Sequence, residues 1–146
     1  MQHYQNILVP VDFSSASCYA LKNADDLSKM IKARLTVLHV VDYIPPNYVA
    51  STIPAKYASG ELLVERARQQ VDELITDMGL KTCDIVIKPG KAKNIIIHEV
   101  AEKNIDLIIM GAHDESMSGF SLGSVANRII HNANCDVMVV RNDPNQ

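Results

Sequence analysis

Five short runs of hydrophobic residues recur along the chain, and each is continuous rather than alternating with polar positions. Continuous runs rich in valine and isoleucine are typical of β-strands that are covered on both faces. The pattern therefore predicts five buried strands, at residues 6–11, 34–41, 83–88, 106–111 and 136–140.

Between these runs, hydrophobic residues recur at three- and four-residue steps, which is the spacing of a helix with one buried face. Such stripes run from Ala20 to Ile31 and from Leu63 to Met78, and shorter ones lie within 91–104 and 124–133. Ser14 or Ser15 is placed to cap the first helix, and Gly79 is placed to end the second.

A strict alternation of strand and helix implies a parallel sheet with right-handed crossovers. We predict an α/β fold, a single domain over residues 1–146, with a doubly wound, Rossmann-like sheet and two helices on each face. The alternation alone does not determine the strand order, and we take it to be 3-2-1-4-5. In that order the winding reverses between strands 1 and 4, and the loops 10–15 and 111–124 border the crevice where such sheets bind ligands.

Charge and composition narrow the class of protein. The 146 residues carry a formal net charge of −3 and a pI of about 5.9, which disfavours a nucleic-acid-binding surface. No apolar run approaches the roughly 18 residues of a membrane span, and the first residues lack a signal-peptide layout. We expect a cytoplasmic protein whose three scattered cysteines are free thiols.

Segment 42–60 is longer than most connections in this class of fold and contains three prolines and three tyrosines. It is either a lid or partner surface, or a passive loop.

Common catalytic and metal motifs are absent. The sequence has no Walker-type phosphate loop, no G-x-G-x-x-G after the first strand and no G-x-S-x-G. The stretch HEVAE at 98–102 lacks the second histidine of a zinc protease, and the five histidines have no ligand spacing. No catalytic base or nucleophile is evident, so we predict no metal site and at most a slow ATPase.

The loop after strand 4 has features of a phosphate site. Gly111 ends the strand, where we expect the missing side chain to let a ligand approach the backbone. Gly123 and Ser124 open a helix whose free N–H groups and positive dipole end suit an anion. The alternative is that this pair only caps the helix.

Across the crevice, Asp12 follows strand 1. It is placed either to brace the first helix or to accept a hydrogen bond from a ribose hydroxyl. Pro10 and Val40 lie near strand ends, where they could flank an adenine or belong to the core.

The segments ILVPVDFS, LTVLHVV, DLIIMGAH and GSVANRIIHNANCDVMVVR together resemble the universal stress protein family over essentially the whole chain. The resemblance implies a five-stranded doubly wound domain of the adenine nucleotide alpha hydrolase-like type, a homodimer and a role in the stress response. It also implies that an ATP-binding branch of the family places Pro10 and Val40 at adenine and Asp12 at ribose. The candidate nucleotide site is completed by neighbouring residues and the matching glycines and serine: Val11, Met110, Gly111, His113, Gly123, Ser124 and Val125.

The ATP-binding branch has the pattern G-x2-G-x9-G-[ST], from which this chain departs twice. The second glycine is Asp114, and eight residues rather than nine separate it from Gly123. A carboxylate beside a triphosphate is unfavourable by roughly 1–4 kcal/mol at about 4 Å unless Mg²⁺ lies between them. We therefore expect weaker ATP binding or a preference for fewer phosphates, as in ADP or AMP.

Two hypotheses follow. In the first, the protein is a stress-response regulator that binds an adenine nucleotide. In the second, it is a dimeric interaction protein with a degenerate nucleotide site. Both include a homodimer formed through residues 136–141, because an apolar edge strand invites pairing with a second chain.

Overall fold

The computed structural model describes residues 3–42, 60–112 and 123–142. The described chain forms β1 (Asn6–Pro10), β2 (Arg34–Val41), β3 (Asp84–Pro89), β4 (Leu107–Gly111) and β5 (Asp136–Val140). Its helices are α1 (Ser15–Ile31), α2 (Glu61–Met78), α3 (Ala92–Glu102) and α4 (Ser124–Asn132). The predicted elements are confirmed to within two residues at their ends. Most of segment 42–60, together with His113 and Asp114, lies outside the described residues.

The five strands form one parallel sheet in the order β3-β2-β1-β4-β5, which confirms the predicted order. β1 is the central strand, and its two ladders differ in length. It pairs with β2 over five residues, from Asn6 opposite Arg34 to Pro10 opposite Leu38. It pairs with β4 only at Ile7 and Leu8. β1 and β4 therefore separate toward their carboxyl ends.

Two helices cover each face of the sheet, as predicted, because the strands present apolar side chains on both sides. On one face, α1 and α2 pack on a buried cluster that includes Ile7, Val9, Leu35, Val37, Ala24 and Val71. On the other, α3 and α4 pack on Leu8, Leu38, Ile108, Ile96, Val100 and Ile129. Alternate strand residues contribute to opposite clusters, as the pleat of a strand requires.

The helix ends follow the local sequence. Ser14 caps α1, since its side-chain oxygen accepts a hydrogen bond from the Ser17 N–H at 3.1 Å. Gly79 ends α2 in a left-handed conformation with φ of 69°, and its N–H donates to the Thr76 carbonyl at 3.1 Å. Among the described helices, none is long and apolar enough to cross a membrane.

β5 lies at one edge of the described sheet. Its side chains are less buried than those of the central strands, and Met138 is 40% exposed. The prediction that this strand forms an edge is confirmed.

Candidate functional site

A cavity of about 340 Å³ lies where β1 and β4 separate. Nine of the ten predicted site residues line it, and the tenth, His113, lies outside the described residues. The nine are Pro10, Val11, Asp12, Val40, Met110, Gly111, Gly123, Ser124 and Val125. Residues far apart in the sequence thus meet at the point where the winding of the sheet reverses, which is where open α/β sheets bind ligands.

Pro10 accounts for the opening of the cavity. The N–H of Val11 donates to the Leu38 carbonyl at 2.8 Å, so the backbone of Val11 faces β2. Because alternate residues of a strand direct their backbone groups to opposite neighbours, Pro10 faces β4. A proline has no N–H, so the ladder between β1 and β4 cannot continue past it while the ladder to β2 does. The crevice begins at this residue.

Val40 presents backbone hydrogen-bonding groups to the crevice. The Leu38 carbonyl bonds toward β1, and the Val41 carbonyl accepts from the Gly90 N–H at 3.0 Å on the β3 side. By the same alternation, the N–H and carbonyl of Val40 point toward β1, which has already ended at Pro10. A donor and an acceptor from one residue therefore lie side by side at the cavity.

The interior half of the cavity is apolar. Besides the predicted residues, it is lined by side chains that sequence analysis did not select: Leu38, Ala92, Ile96 and Ala126. Leu38 could have been found, because it lies two residues before Val40 and so shares its face of the strand. The helix residues could not, since their spacing marks a buried face and not which cavity it borders.

Asp12 lies at the polar end of the cavity in a network of hydrogen bonds. Its carboxylate accepts from the Ser14 N–H at 3.0 Å and from the Ser14 hydroxyl. Partial burial works to raise the pKa of Asp12, but the hydrogen bonds from Ser14 and Ser17 outweigh burial and lower this pKa below its ordinary value. Asp12 is thus an exposed, ionised acceptor that braces the start of α1, the first of the two roles considered from the sequence.

The structure corrects our explanation for Gly111. A Cβ atom added there would lie 2.4 Å from the carbonyl oxygen of Ala16 and 2.9 Å from its Cβ. A side chain at this position would point into the first turn of α1 and not toward a ligand. Gly111 lines the cavity because this close contact brings the end of β4 against α1.

The first turn of α4 faces the cavity through Gly123, Ser124 and Val125. Gly123 is the N-cap residue, and in the described chain no side chain caps this helix. The first N–H groups of a helix have no partner within the helix. Such groups, with the positive end of the helix dipole, suit an anion.

Residues set aside from the sequence lie away from the cavity. His98 and Glu102, from the stretch HEVAE, are exposed on α3 with 3.9 Å between Nε2 and Oε1. Lys91 is the N-cap residue of α3, and neither Lys91 nor Lys93 is among the described residues that line the cavity. Within the described ranges, no three His, Cys, Asp or Glu side chains are grouped so as to hold a metal ion.

A doubly wound parallel sheet with an open crevice at its switch point defines a class of α/β proteins that bind ligands beyond the carboxyl ends of their strands. Within that class, the chain belongs to the universal stress protein family, whose model matches residues 3–141. It is 30% identical over 142 residues to universal stress protein A homolog 2 of Coxiella burnetii, with 97% of each chain covered. This confirms the resemblance seen in the sequence.

Solved structures of universal stress proteins have the same fold as this chain. Universal stress protein UspA from Lactobacillus plantarum matches with a TM-score of 0.74 and 28% identity, over 97% of this chain and 100% of that one. A universal stress protein crystallised in complex with cAMP matches with a TM-score of 0.67 over 97% of this chain and 100% of that one. The identity there is 17%, so this second likeness is one of fold.

Proposed function

We propose that this protein is a stress-response regulator that binds an adenine nucleotide in the crevice between β1 and β4. One observation carries the proposal: a single cavity combines an apolar interior, a backbone donor and acceptor, a carboxylate and a helix N-terminus. The apolar interior and the backbone donor and acceptor suit a base, the carboxylate suits a ribose, and the helix N-terminus suits a phosphate.

The base lies in the apolar interior, against side chains such as Pro10 and Met110. There the Val40 carbonyl accepts from the adenine amino group, and the Val40 N–H donates to the adjacent ring nitrogen. Guanine presents a carbonyl oxygen and an N–H at these two positions. The Val40 carbonyl would then face a second acceptor, and the Val40 N–H would face a second donor. The geometry favours adenine because a mismatched buried hydrogen bond is unfavourable.

The ribose and phosphates extend from the base toward the polar end. The carboxylate of Asp12 accepts from a ribose hydroxyl, as acidic residues at such switch points do. The phosphates lie against the first turn of α4, where Gly123 leaves the N–H groups open and Ser124 adds a hydroxyl. The cAMP complex of a family member with the same fold supports an adenine nucleotide as the class of ligand.

The number of phosphates depends on Asp114. Its carboxylate and the spacer shortened by one residue disfavour a triphosphate unless Mg²⁺ offsets the charge. We therefore expect AMP or ADP to bind at least as tightly as ATP in the absence of Mg²⁺, and Mg²⁺ to favour ATP selectively.

Isothermal titration calorimetry with ATP, ADP and AMP, each with and without Mg²⁺, tests the proposal. We expect micromolar binding that is abolished by Gly123→Val, whose side chain would occupy the space beside the first turn of α4. Asn127→Val is the matched control, because it adds valine to the same helix at an exposed position away from the cavity. Absence of heat with every nucleotide contradicts the proposal.

A second candidate function is that of a dimeric interaction protein without a working nucleotide site. The exposed edge strand β5, with Met138 40% exposed, favours a homodimer in either case. Under either function, we propose that residues 1–146 form one domain and that the protein acts in the cytoplasm. The free thiols of Cys18, Cys83 and Cys135 support a reducing compartment.

A further inference from the structure

The turn between β1 and α1 contains a backbone conformation that is unusual for its residue. Phe13 has a φ of 65°, in the left-handed region that a bulky side chain rarely adopts. Its ring packs at the edge of the α1–α2 core, and the centroid lies 4.6 Å from that of the His39 ring. Such a conformation persists only where surrounding contacts hold it.

His39 reaches this turn from the face of the sheet opposite the crevice. Its neighbours Leu38 and Val40 pack on the α3–α4 side, so the His39 side chain projects toward α1 and α2. The ring Nδ1 lies 2.7 Å from the Val11 carbonyl oxygen. Because a carbonyl oxygen only accepts hydrogen bonds, Nδ1 carries the proton and donates.

The peptide unit between Val11 and Asp12 is consequently held at both ends. Its carbonyl accepts from His39, and its N–H, that of Asp12, donates to the Ser17 hydroxyl at 3.2 Å. A peptide unit is planar, so fixing both groups fixes the direction in which the Cα of Asp12 leaves it. The orientation of the Asp12 carboxylate depends on that direction.

We propose that His39 is a positioning residue of the nucleotide site, which orients Asp12 toward the ribose through the Val11 carbonyl and Phe13. The inference rests on the proposed function. His39 itself does not line the crevice, and its effect on binding passes through Asp12.

Two substitutions of His39 distinguish the effect of its Nδ1–H donor from the effect of its ring. His39→Leu keeps apolar bulk against Phe13 and removes the donor. His39→Asn removes the ring but retains an N–H donor on the nitrogen attached to Cγ, where Nδ1 is attached. We expect His39→Leu to weaken nucleotide binding about tenfold, the effect of one lost hydrogen bond, and His39→Asn to restore most of that affinity.

A double-mutant cycle tests whether the effect passes through Asp12. In an Asp12→Asn background, we expect His39→Leu to cause less than about a twofold further loss, because the group being oriented is already gone. An equal loss in both backgrounds, or unchanged affinity in His39→Leu, overturns the inference while nucleotide binding by the wild type stands.

A measurement without nucleotide keeps the two proposals distinguishable. We expect His39→Leu to speed hydrogen exchange of the Asp12 amide in the free protein, with the amide of Ile109 in β4 as the internal reference. Unchanged exchange at Asp12 overturns the orienting role. If the wild type binds no nucleotide, the proposed function and the inference drawn on it both fail, even where the exchange result reports that His39 orders the turn.

Discussion

Gly111 and Ala16 are in closer contact than any other residue type at position 111 would permit. The nearest atoms to a Cβ at Gly111 are the backbone oxygen and carbon of Ala16, at 2.4 and 2.5 Å. This contact sets the distance between the end of β4 and the first turn of α1, and therefore the width of the crevice at its polar end.

We expect Gly111→Ala to lower the free energy of unfolding by about 2–3 kcal/mol, since backbone atoms cannot move aside as a side chain can. Adding Ala16→Gly should not restore stability, because it removes only the Cβ of Ala16 and leaves its carbonyl. Urea unfolding followed by circular dichroism measures both variants.

Gly79→Ala is the control for inserting a methyl group. It has open space around the added Cβ but a φ of 69°, so its loss should be about 1 kcal/mol and arise from backbone strain. A loss at Gly111 no greater than that at Gly79 would refute the steric explanation.

Much of this architecture could be predicted, because the relevant signals are local. Apolar runs, such as the one that contains Ile108 and Ile109, mark the strands. Capping residues such as Ser14 mark the helix ends. The contact of Gly111 with Ala16 could not be predicted, since it depends on how closely two elements 95 positions apart approach. The role of His39 could not be predicted either, because its partner is a backbone carbonyl, which leaves no pattern in the sequence.

Lys88 and Glu99 form an ion pair between β3 and α3. The Glu99 side chain is 2% exposed and the Lys88 side chain 41% exposed. We expect Lys88→Met to lower the free energy of unfolding by about 1–3 kcal/mol, because it leaves a buried carboxylate without its cation. Thermal and urea unfolding measure this loss.

The double variant Lys88→Met with Glu99→Met should regain most of that stability, since it removes both charges and retains apolar volume. Lys22→Met is the matched control: its pair with Asp26 is exposed on both sides, at 55% and 59%, and its loss should stay below about 1 kcal/mol. Equal losses for Lys88→Met and Lys22→Met would contradict a role for burial.

Cys135 should give the protein a stability that declines in alkali. Burial, followed by the nearby carboxylates of Asp136 and Asp106, raises the pKa of Cys135 from 9.0 to about 11. The folded state therefore keeps the thiol proton over a range in which the unfolded chain loses it. Stability is fully present below pH 9.0 and is lost as the pH rises toward about 11.

We expect Cys135→Ala to flatten the decline in unfolding free energy between these two pH values. At pH 8, alkylation of Cys135 by iodoacetamide should be slow, with about one thiol in a thousand ionised. The comparison variant is Cys18→Ala, which removes a different thiol and keeps Cys135. Rapid alkylation of Cys135 at pH 8 in the folded protein would contradict the raised pKa.

The backbone of β5 offers a specific test of the homodimer. The Ala112 N–H donates to the Val140 carbonyl at 2.8 Å, so Val140 faces β4 and, by alternation, Val139 faces the open edge. Proline is tolerated in an edge strand where the missing N–H faces away from the sheet. We therefore expect Val139→Pro to remain folded and to sediment as a monomer, while the wild type sediments as a dimer.

Met138→Pro is the matched control, because the backbone of Met138 faces β4 and proline there removes a donor from the ladder within the chain. It should lower the unfolding free energy by about 1–3 kcal/mol, because a carbonyl of β4 loses its donor, whereas Val139→Pro should chiefly weaken association. Sedimentation velocity and urea unfolding of the two variants separate these effects, since they differ by one position in the same strand. A wild type that sediments as a monomer, or a Val139→Pro variant that remains a dimer, would show that β5 does not join two copies of this chain.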